Sequence, residues 1–431
     1  MPKFTVPQIP QLRPNQIGIV IGVIGAIVVV IFAYFFFKKP HATAGVPVTL
    51  VVWGTEPLQD VKSAFDGYHN LHSNVTVNYV EINPQTYQGK LLDALASGEG
   101  PDVFMVPSTD IGVMKSKLVP APAPFTTSTL ATLFPKAVET DVADDGFVYA
   151  LPLNLDTLVL VYNRDLLDAA GITTPPATWD DVVADVPLLA AVNDQSQLQR
   201  EAIALGGSSA SVRDASDILS LLMIQDGAPL SNGPHSTVTL GAQGESALRF
   251  YTQFANPASA AYSWNDTLGD SYQQFADGKL AMLVTYPSAL ATIKASNAFI
   301  DARVAPVPQA KGGTPKSFGA YTLLGVSKQS KNAVVGWDFV QGVTTDKTII
   351  AAYAKATGHA PALTSVIGDY ITQPATALTA TQALQARSWF QWDGTSVSHE
   401  MDRAITDITS GVTSPAEARQ ALEQRLRALI R

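Results

Sequence analysis

The chain opens with Ile17–Phe37, an unbroken run of 21 uncharged and strongly apolar positions, long enough to cross a bilayer as one helix. After His41–Pro47 the pattern changes to short β-branched runs separated by segments with helical spacing. Val48–Trp53, Val75–Ile82 and Asp102–Val106 read as strands. Between them, Leu58, Val61, Phe65 and Tyr68 mark the inner face of one helix. Pro84 opens a second, with Tyr87, Leu91, Leu92 and Leu95 inside and Gly98-Glu99-Gly100-Pro101 ending it. This alternation predicts an α/β fold with a parallel sheet and helices on its faces. Such sheets gather ligands beyond the carboxyl ends of their strands. Those ends are Trp53-Gly54-Thr55-Glu56 and Pro107-Ser108-Thr109-Asp110.

The stretch Gly146–Asn163 breaks the pattern. Two apolar runs, Phe147–Leu153 and Leu158–Tyr162, flank the polar Asn154-Leu155-Asp156-Thr157 just past Pro152. A proline cannot donate to a central ladder, so the segment does not read as one uninterrupted central strand. The segment reads as a chain leaving one sheet, crossing a junction and entering another, with polar side chains facing the space between two lobes. Val304–Pro308 and Val343–Asp346 are expected to be two further crossings. The rest reads as helices over 164–170, 216–225, 244–255, 272–276, 288–295 and 333–342, with strands over 279–285 and 321–327. Thr178-Trp179-Asp180-Asp181 and Ser414-Pro415-Ala416-Glu417 start helices with capping-box chemistry.

Composition narrows the function. The 431 residues suffice for two or three domains, and 46% apolar with 15% charged residues marks a globular chain. The net charge of −9, without a basic stripe interleaved with aromatics, argues against nucleic acid. With no cysteine, disulfides, thiolate metal sites, a Cys nucleophile and a lipid-modified Cys anchor are excluded. The expected N-terminal order is a short tail (1–16), a transmembrane helix (17–37) and a tether (38–45). Lys3 and Arg13 precede the helix and Lys38 and Lys39 follow it, so the charge balance does not set orientation. Ala42-Thr43-Ala44 offers a cleavage site, but the length of the run favours an uncleaved anchor. Gly18, Gly22 and Ala26 reflect the small residues common in membrane helices rather than a dimerisation face.

The residues carry a family resemblance. Gly98-Glu99-Gly100-Pro101-Asp102-Val103-Phe104, the Tyr-Ala-Leu-Pro and Leu-Val-Tyr-Asn within Gly146–Asn163, and Pro175–Asp181 come in that order. Phe275-Ala276-Asp277-Gly278-Lys279-Leu280-Ala281-Met282 and Trp337-Asp338-Phe339 complete the set. Over roughly residues 46–430 the chain resembles a family 1 extracellular solute-binding protein, the substrate-binding component of ABC importers of the maltose and oligosaccharide kind. The resemblance implies a periplasmic-binding-protein-like fold of two discontinuous α/β lobes, residues 46–154 with 308–344 and 155–307 with 345–431. It implies capture of a small solute, carbohydrate by family type, closure of the lobes, and delivery to permease subunits outside the cytoplasmic membrane.

Sugar recognition combines aromatic faces with carboxylates and amides that satisfy hydroxyls. Trp53, Thr55 and Glu56 lie on a turn that the family places at its cleft, although Trp53 would equally pack the sheet end. Ser108, Thr109 and Asp110 follow the third strand, with helix capping as the competing use of Asp110. Asn154 and Asp156 match a family position whose carboxylate faces ligand. Tyr286, in Tyr-Pro-Ser, stands near the family's stacking Trp of Gly-Pro-Trp, a departure from the maltose pattern. Trp264 reads as a lid contact or a core anchor, and Trp389 and Trp392 as a second-lobe platform like the family's C-terminal one. Trp337 and Trp179 read as core.

Nothing points to catalysis, a cofactor or a metal. The six histidines are scattered, no nucleophile elbow or P-loop is present, and His69 and His72 read as solvated surface. Two other classes remain. A receptor presenting solute to a sensor needs a signalling tail, for which residues 1–16 are too short; a polysaccharide-acting enzyme needs a carboxylate pair at glycosidase separation.

Overall fold

The computed structural model describes residues 46–430, apart from 124 and 196. The expected transmembrane segment 17–37 lies outside the described residues; among those described, no helix is long and apolar enough to cross a membrane.

Two five-stranded sheets, each under its own apolar core, organise the chain. In the first, Val48–Gly54 runs parallel to Val75–Glu81, pairing Val48 with Val75 through to Gly54 with Glu81. On its other side it pairs with Val103–Pro107, Val52 opposite Val103. Thr322–Val326 joins that strand antiparallel, and Leu151–Pro152 closes the far edge. Pro152 thus sits on an edge strand, where its missing N–H costs no ladder bond. The helices Leu58–Leu71 and Pro84–Ser97 cover this sheet through Val61, Phe65, Tyr68, Tyr87, Leu91 and Leu95. Leu58 and Leu92, assigned to those inner faces from spacing, are instead exposed. Asn83 caps the second helix by accepting from Gln85 N, and Gly98 ends it with φ +79°, a conformation open to glycine.

The second sheet has the order Ala302–Pro306, Val159–Asn163, Leu280–Thr285, Leu198–Ile203, Ala191–Val192. Its second strand, Val-Leu-Val-Tyr-Asn, and its central strand Leu280–Thr285 are buried along their whole length. Leu198–Ile203 is a strand where no element was expected; its Leu-Gln-Arg-Glu-Ala-Ile carries no clear alternation, yet Glu201 is buried beside Leu280. The capping boxes at Thr178/Asp181 and Ser414/Glu417 form as expected.

A third, three-stranded sheet stitches the two together. Asp156–Thr157 pairs antiparallel with Ser317–Ala320, which pairs parallel with Ala386–Arg387. Across Asp156–Thr157 the chain passes from the first core, which holds Leu155, to the second, which holds Leu158. The second crossing lies at 317–322, not at 304–308, because Ala302–Pro306 is an edge strand paired with Val159–Asn163 and its proline costs nothing there. The third lies near 386–394, not at 343–346. Val343 is buried inside the helix Ala333–Thr345, and the Asp346 carboxylate accepts from Thr348 N and Ile349 N to start Lys347–Thr357. That helix buries Ile349, Ile350 and Tyr353 in the first core, and Val366, Ile367, Ala380 and Ala383 follow it there. Residues 347–384, expected with the second lobe, thus pack on the first. The chain returns to the second core with Trp389, Val397, Met401, Leu422 and Leu426.

Candidate functional site

The first core offers the carboxyl ends of its strands to the junction. Ser108 is buried and Thr109 and Asp110 are half-buried just past the third strand. Asp110 does not cap its own helix; its Oδ1 accepts from Gly394 N at 2.9 Å, at the start of the helix Gly394–Thr409. A Cβ on Gly394 would meet Thr109 Cβ at 2.5 Å, so the segment 391–394 presses directly against the third strand end. Trp53 is half-buried with its ring packed on the first core, and its carbonyl accepts from Tyr87 OH at 3.2 Å. Thr55 and Glu56 are half-buried on the turn beyond it.

The second core contributes the loop Leu205–Asp214 and the helix Ala215–Asp226. The loop is held from behind. Asp266 accepts from Ser208 N at 2.8 Å, Ser208 Oγ at 2.9 Å and Ser211 Oγ at 2.6 Å, and Trp264 Nε1 donates to Ser211 Oγ at 3.0 Å. Gly206 takes φ +95° with a virtual Cβ 2.7 Å from Ala255 N, so no side chain fits. Trp264 is fully buried in this arrangement; it is neither lid nor cleft contact, because its ring fills the core under the loop.

The end of the loop and the first turn of the helix deliver two carboxylates, Asp214 and Asp217, to the junction. Asp214 Oδ2 accepts from Thr285 Oγ1 at 2.7 Å and Tyr272 OH at 3.2 Å. Asp217 Oδ2 accepts from Tyr286 OH at 2.7 Å. Among the described residues neither Oδ1 receives a hydrogen bond. Burial pushes both carboxyls up; Asp217 reaches about 7, with the charge of Asp214 adding to the effect and the Tyr286 hydroxyl opposing it. Between the walls lies a cavity of about 200 Å³, lined by Ser108 and Thr109 from one side, Asp214 and Asp217 from the other, and Tyr321 and Gln391 from the crossings. Tyr321 OH is itself tied to Asp141, a buried carboxyl that desolvation raises to about 7.

A second polar group sits on the first crossing. The Asp156 carboxylate bonds His359 Nδ1 and accepts from Ala360 N at 3.0 Å, while His359 Nε2 stands 3.9 Å from Glu56 Oε2. Burial opposes charge on the imidazole, but the bond to Asp156 and the fields of Asp156, Glu56 and Asp60 overcome it and push His359 up to about 9. Burial also raises the Glu56 carboxyl, against the pull of His359. Tyr286 feels Asp217, Asp214 and Asp156 together, so both groups belong to one junction.

Several expected site residues are therefore brought together: Glu56 with Asp156 through His359, and Ser108 and Thr109 opposite the Asp217 that Tyr286 holds. Others are not. Asn154 is buried, its Oδ1 accepting from Thr322 N at 2.8 Å, and so clips two crossings. Trp389 is buried in the second core with Nε1 donating to Ser220 Oγ at 3.1 Å. Trp392 leans edge-on against Phe390, centroids 5.6 Å apart, on the first core. The platform expected of these two tryptophans does not form because their rings complete the two cores. Asp214, Asp217, Tyr321, Gln391 and His359 were not singled out from the sequence. A signal ahead of the first two does exist, in the loop-type run Gly206-Gly207-Ser208-Ser209 before an apolar helix, but it names no site residue.

The profile of the bacterial extracellular solute-binding proteins matches residues 54–349. A putative binding protein of Brucella abortus (strain 2308) is 26% identical over 200 residues, 45% of this chain and 46% of that protein; the match thus spans about half of that relative's length. A maltotriose-binding protein of Pyrococcus abyssi (strain GE5 / Orsay) is 23% identical over 329 residues, 74% of this chain and 68% of that protein. Among solved structures, the GacH receptor of Streptomyces glaucescens GLA.O superposes with a TM-score of 0.69 at 22% identity, covering 90% of this chain and 99% of that one. A cyclic α-maltosyl-1,6-maltose binding protein from Arthrobacter globiformis gives 0.74 at 18% identity, covering 89% and 99%. At such identities the structural likeness establishes the fold, the α/β architecture of periplasmic binding proteins. With the profile spanning most of the described residues, the chain belongs to the bacterial extracellular solute-binding proteins.

Proposed function

We propose that the chain captures a carbohydrate in the junction between its two cores and passes it to the permease of an ABC importer. One observation carries this reading: the cavity joins hydroxyls from one core to two carboxylates of the other, each carboxylate keeping one oxygen without a donor among the described residues. Sugar hydroxyls are donors that such oxygens accept, and charge-assisted bonds of this kind are the stronger ones. Relatives that bind maltotriose, acarbose and a cyclic maltosaccharide support the sugar class. The described polar groups are paired for recognition, and binding rather than turnover is the function we assign.

In this reading the two cores are lobes hinged at 153–158, 317–322 and 386–394. A solute touching Ser108 or Thr109 on one side and Asp214 or Asp217 on the other favours the closed form, since only there are all four in reach. Asp156 and Glu56, freed from His359, are further acceptors. The apolar run 17–37 tethers the lobes outside the cytoplasmic membrane, in place of the lipid anchor a cysteine-free chain cannot carry.

The test is a thermal-shift screen of the full chain in detergent against sugars, polyols, phosphates and amino acids. A ligand at a hundredfold its Kd stabilises by about 2.7 kcal/mol, readily seen as a raised midpoint. Sugars are the expected hits. A response confined to amino acids contradicts the proposal.

A further inference from the structure

Away from this cavity, a hairpin of the first core meets a loop of the second. Ala143–Asp144 and Phe147–Val148 form the hairpin, with Asp145 and Gly146 at its turn. Val142 and Val148 root it in the first core. His235 lies on the loop between the helices Ala215–Asp226 and Gly241–Thr252, which Val238 and Leu240 root in the second.

Three metal-ligating side chains converge there. His235 Nε2 stands 2.8 Å from Asp144 Oδ1 and 3.5 Å from Asp145 Oδ1, and the three donor atoms lie within 4.8 Å of one another. Asp144 is 7% exposed, and its Oδ1 is buried without a hydrogen bond despite the nearby imidazole. Its other oxygen pairs with Lys115. A buried carboxylate oxygen left without a donor is costly, and it points at the one imidazole in reach. A zinc-type ion about 2.1 Å from each donor places tetrahedral donors about 3.4 Å apart, close to the His235 to Asp145 separation. A cavity of about 510 Å³ borders the group, with room for water in the remaining coordination position.

We propose that Asp144, Asp145 and His235 form a binding site for a divalent transition metal ion of the Zn²⁺ class, tying the hairpin of one core to the loop of the other. The donor set decides the class: an imidazole with carboxylates suits Zn²⁺ or Ni²⁺, whereas Mg²⁺ and Ca²⁺ prefer all-oxygen shells. Lys115 neutralises Asp144 through Oδ2 only, leaving Oδ1, the Asp145 carboxylate and a neutral imidazole to the ion. Because the donors come from both cores, the ion binds the arrangement in which hairpin and loop meet.

The experiment is titration calorimetry of the full chain in detergent, stripped with chelator, against Zn²⁺ and Mg²⁺, for the native chain, His235→Ala and Asp145→Asn. The His235 and Asp145 side chains are 71% and 78% exposed, so neither substitution disturbs a core, and unchanged metal-free melting confirms it. One Zn²⁺ per chain is expected, weakened at least about tenfold in each variant, with no saturable Mg²⁺ binding. Weak sites elsewhere, such as His69 and His72, are retained by both variants and subtract out. Zn²⁺ isotherms unchanged in both variants, or no saturable Zn²⁺ binding to the native chain, overturn the proposal.

Discussion

If Asp217 receives a solute hydroxyl on its free oxygen, affinity must follow its ionisation. Burial and the neighbouring Asp214 push this carboxyl up to about 7, so near neutrality the empty protein holds a proton that the bound form does not want. The ionised fraction falls from about nine-tenths at pH 8 to about one-tenth at pH 6, which predicts an affinity loss of roughly tenfold across that window. Asp217→Asn removes the titration and leaves a neutral acceptor. A hydrogen bond to a charged group contributes about 1.5–3 kcal/mol against about 0.5–1.5 for a neutral one, so the variant loses about 1–1.5 kcal/mol, binds about 5- to 13-fold more weakly at pH 8 and loses the pH dependence owed to Asp217. The assay is calorimetry with a sugar hit at pH 6, 7 and 8, in buffers of different ionisation enthalpy so that proton release is read directly. Native affinity constant within twofold from pH 6 to 8 refutes the reasoning. For folding the sign is opposite: the folded carboxyl keeps its proton to higher pH than the unfolded chain. Its stabilisation is therefore complete below about pH 4 and is lost as pH rises through about 7.

Two further outcomes follow from the packing. His359, raised to about 9, contributes stability that is complete below about pH 6.5 and lost as pH rises through 9; His359→Gln should melt lower at pH 7, by an amount that shrinks by pH 10, and a pH-independent difference would contradict the ion pair with Asp156. Trp264→Ala should cost about 3–5 kcal/mol in chemical denaturation, as for a large buried aromatic. Trp264→Phe keeps most of the bulk but loses the bond to Ser211, and should weaken sugar binding more than it lowers stability if that bond holds the loop that leads into Asp214 and the helix turn of Asp217.

The topology was legible because its signals are local. Pro152 and the polar knot after it marked the first crossing from chain chemistry alone, and strand and helix periods exposed the first sheet. The other crossings were misplaced for a physical reason. Prolines at 306 and 308 mark an edge strand as well as they mark a junction, and Asp346 hides a helix start behind a helix end. Leu198–Ile203 was missed because a strand between two neighbours needs little alternation when tertiary packing supplies its partners. The aromatics misled more than they helped. Trp264, expected as a lid contact or a core anchor, and Trp389, expected in a platform, have hydrogen-bond partners on distant segments, Ser211 and Ser220, and both rings are buried. Conversely, Asp214 and Asp217 look in sequence like ordinary acids at a helix start. Only the packing of Thr285, Tyr272 and Tyr286 around them holds them at the cavity.

The most direct test of solute capture between the cores is hydrogen exchange on the full chain with and without a saturating sugar. Protection should appear together at 106–110 on the first core, at 206–217 on the second and at 391–398 on the crossing that joins them. Protection confined to one core, or lying wholly outside these segments, would contradict the account.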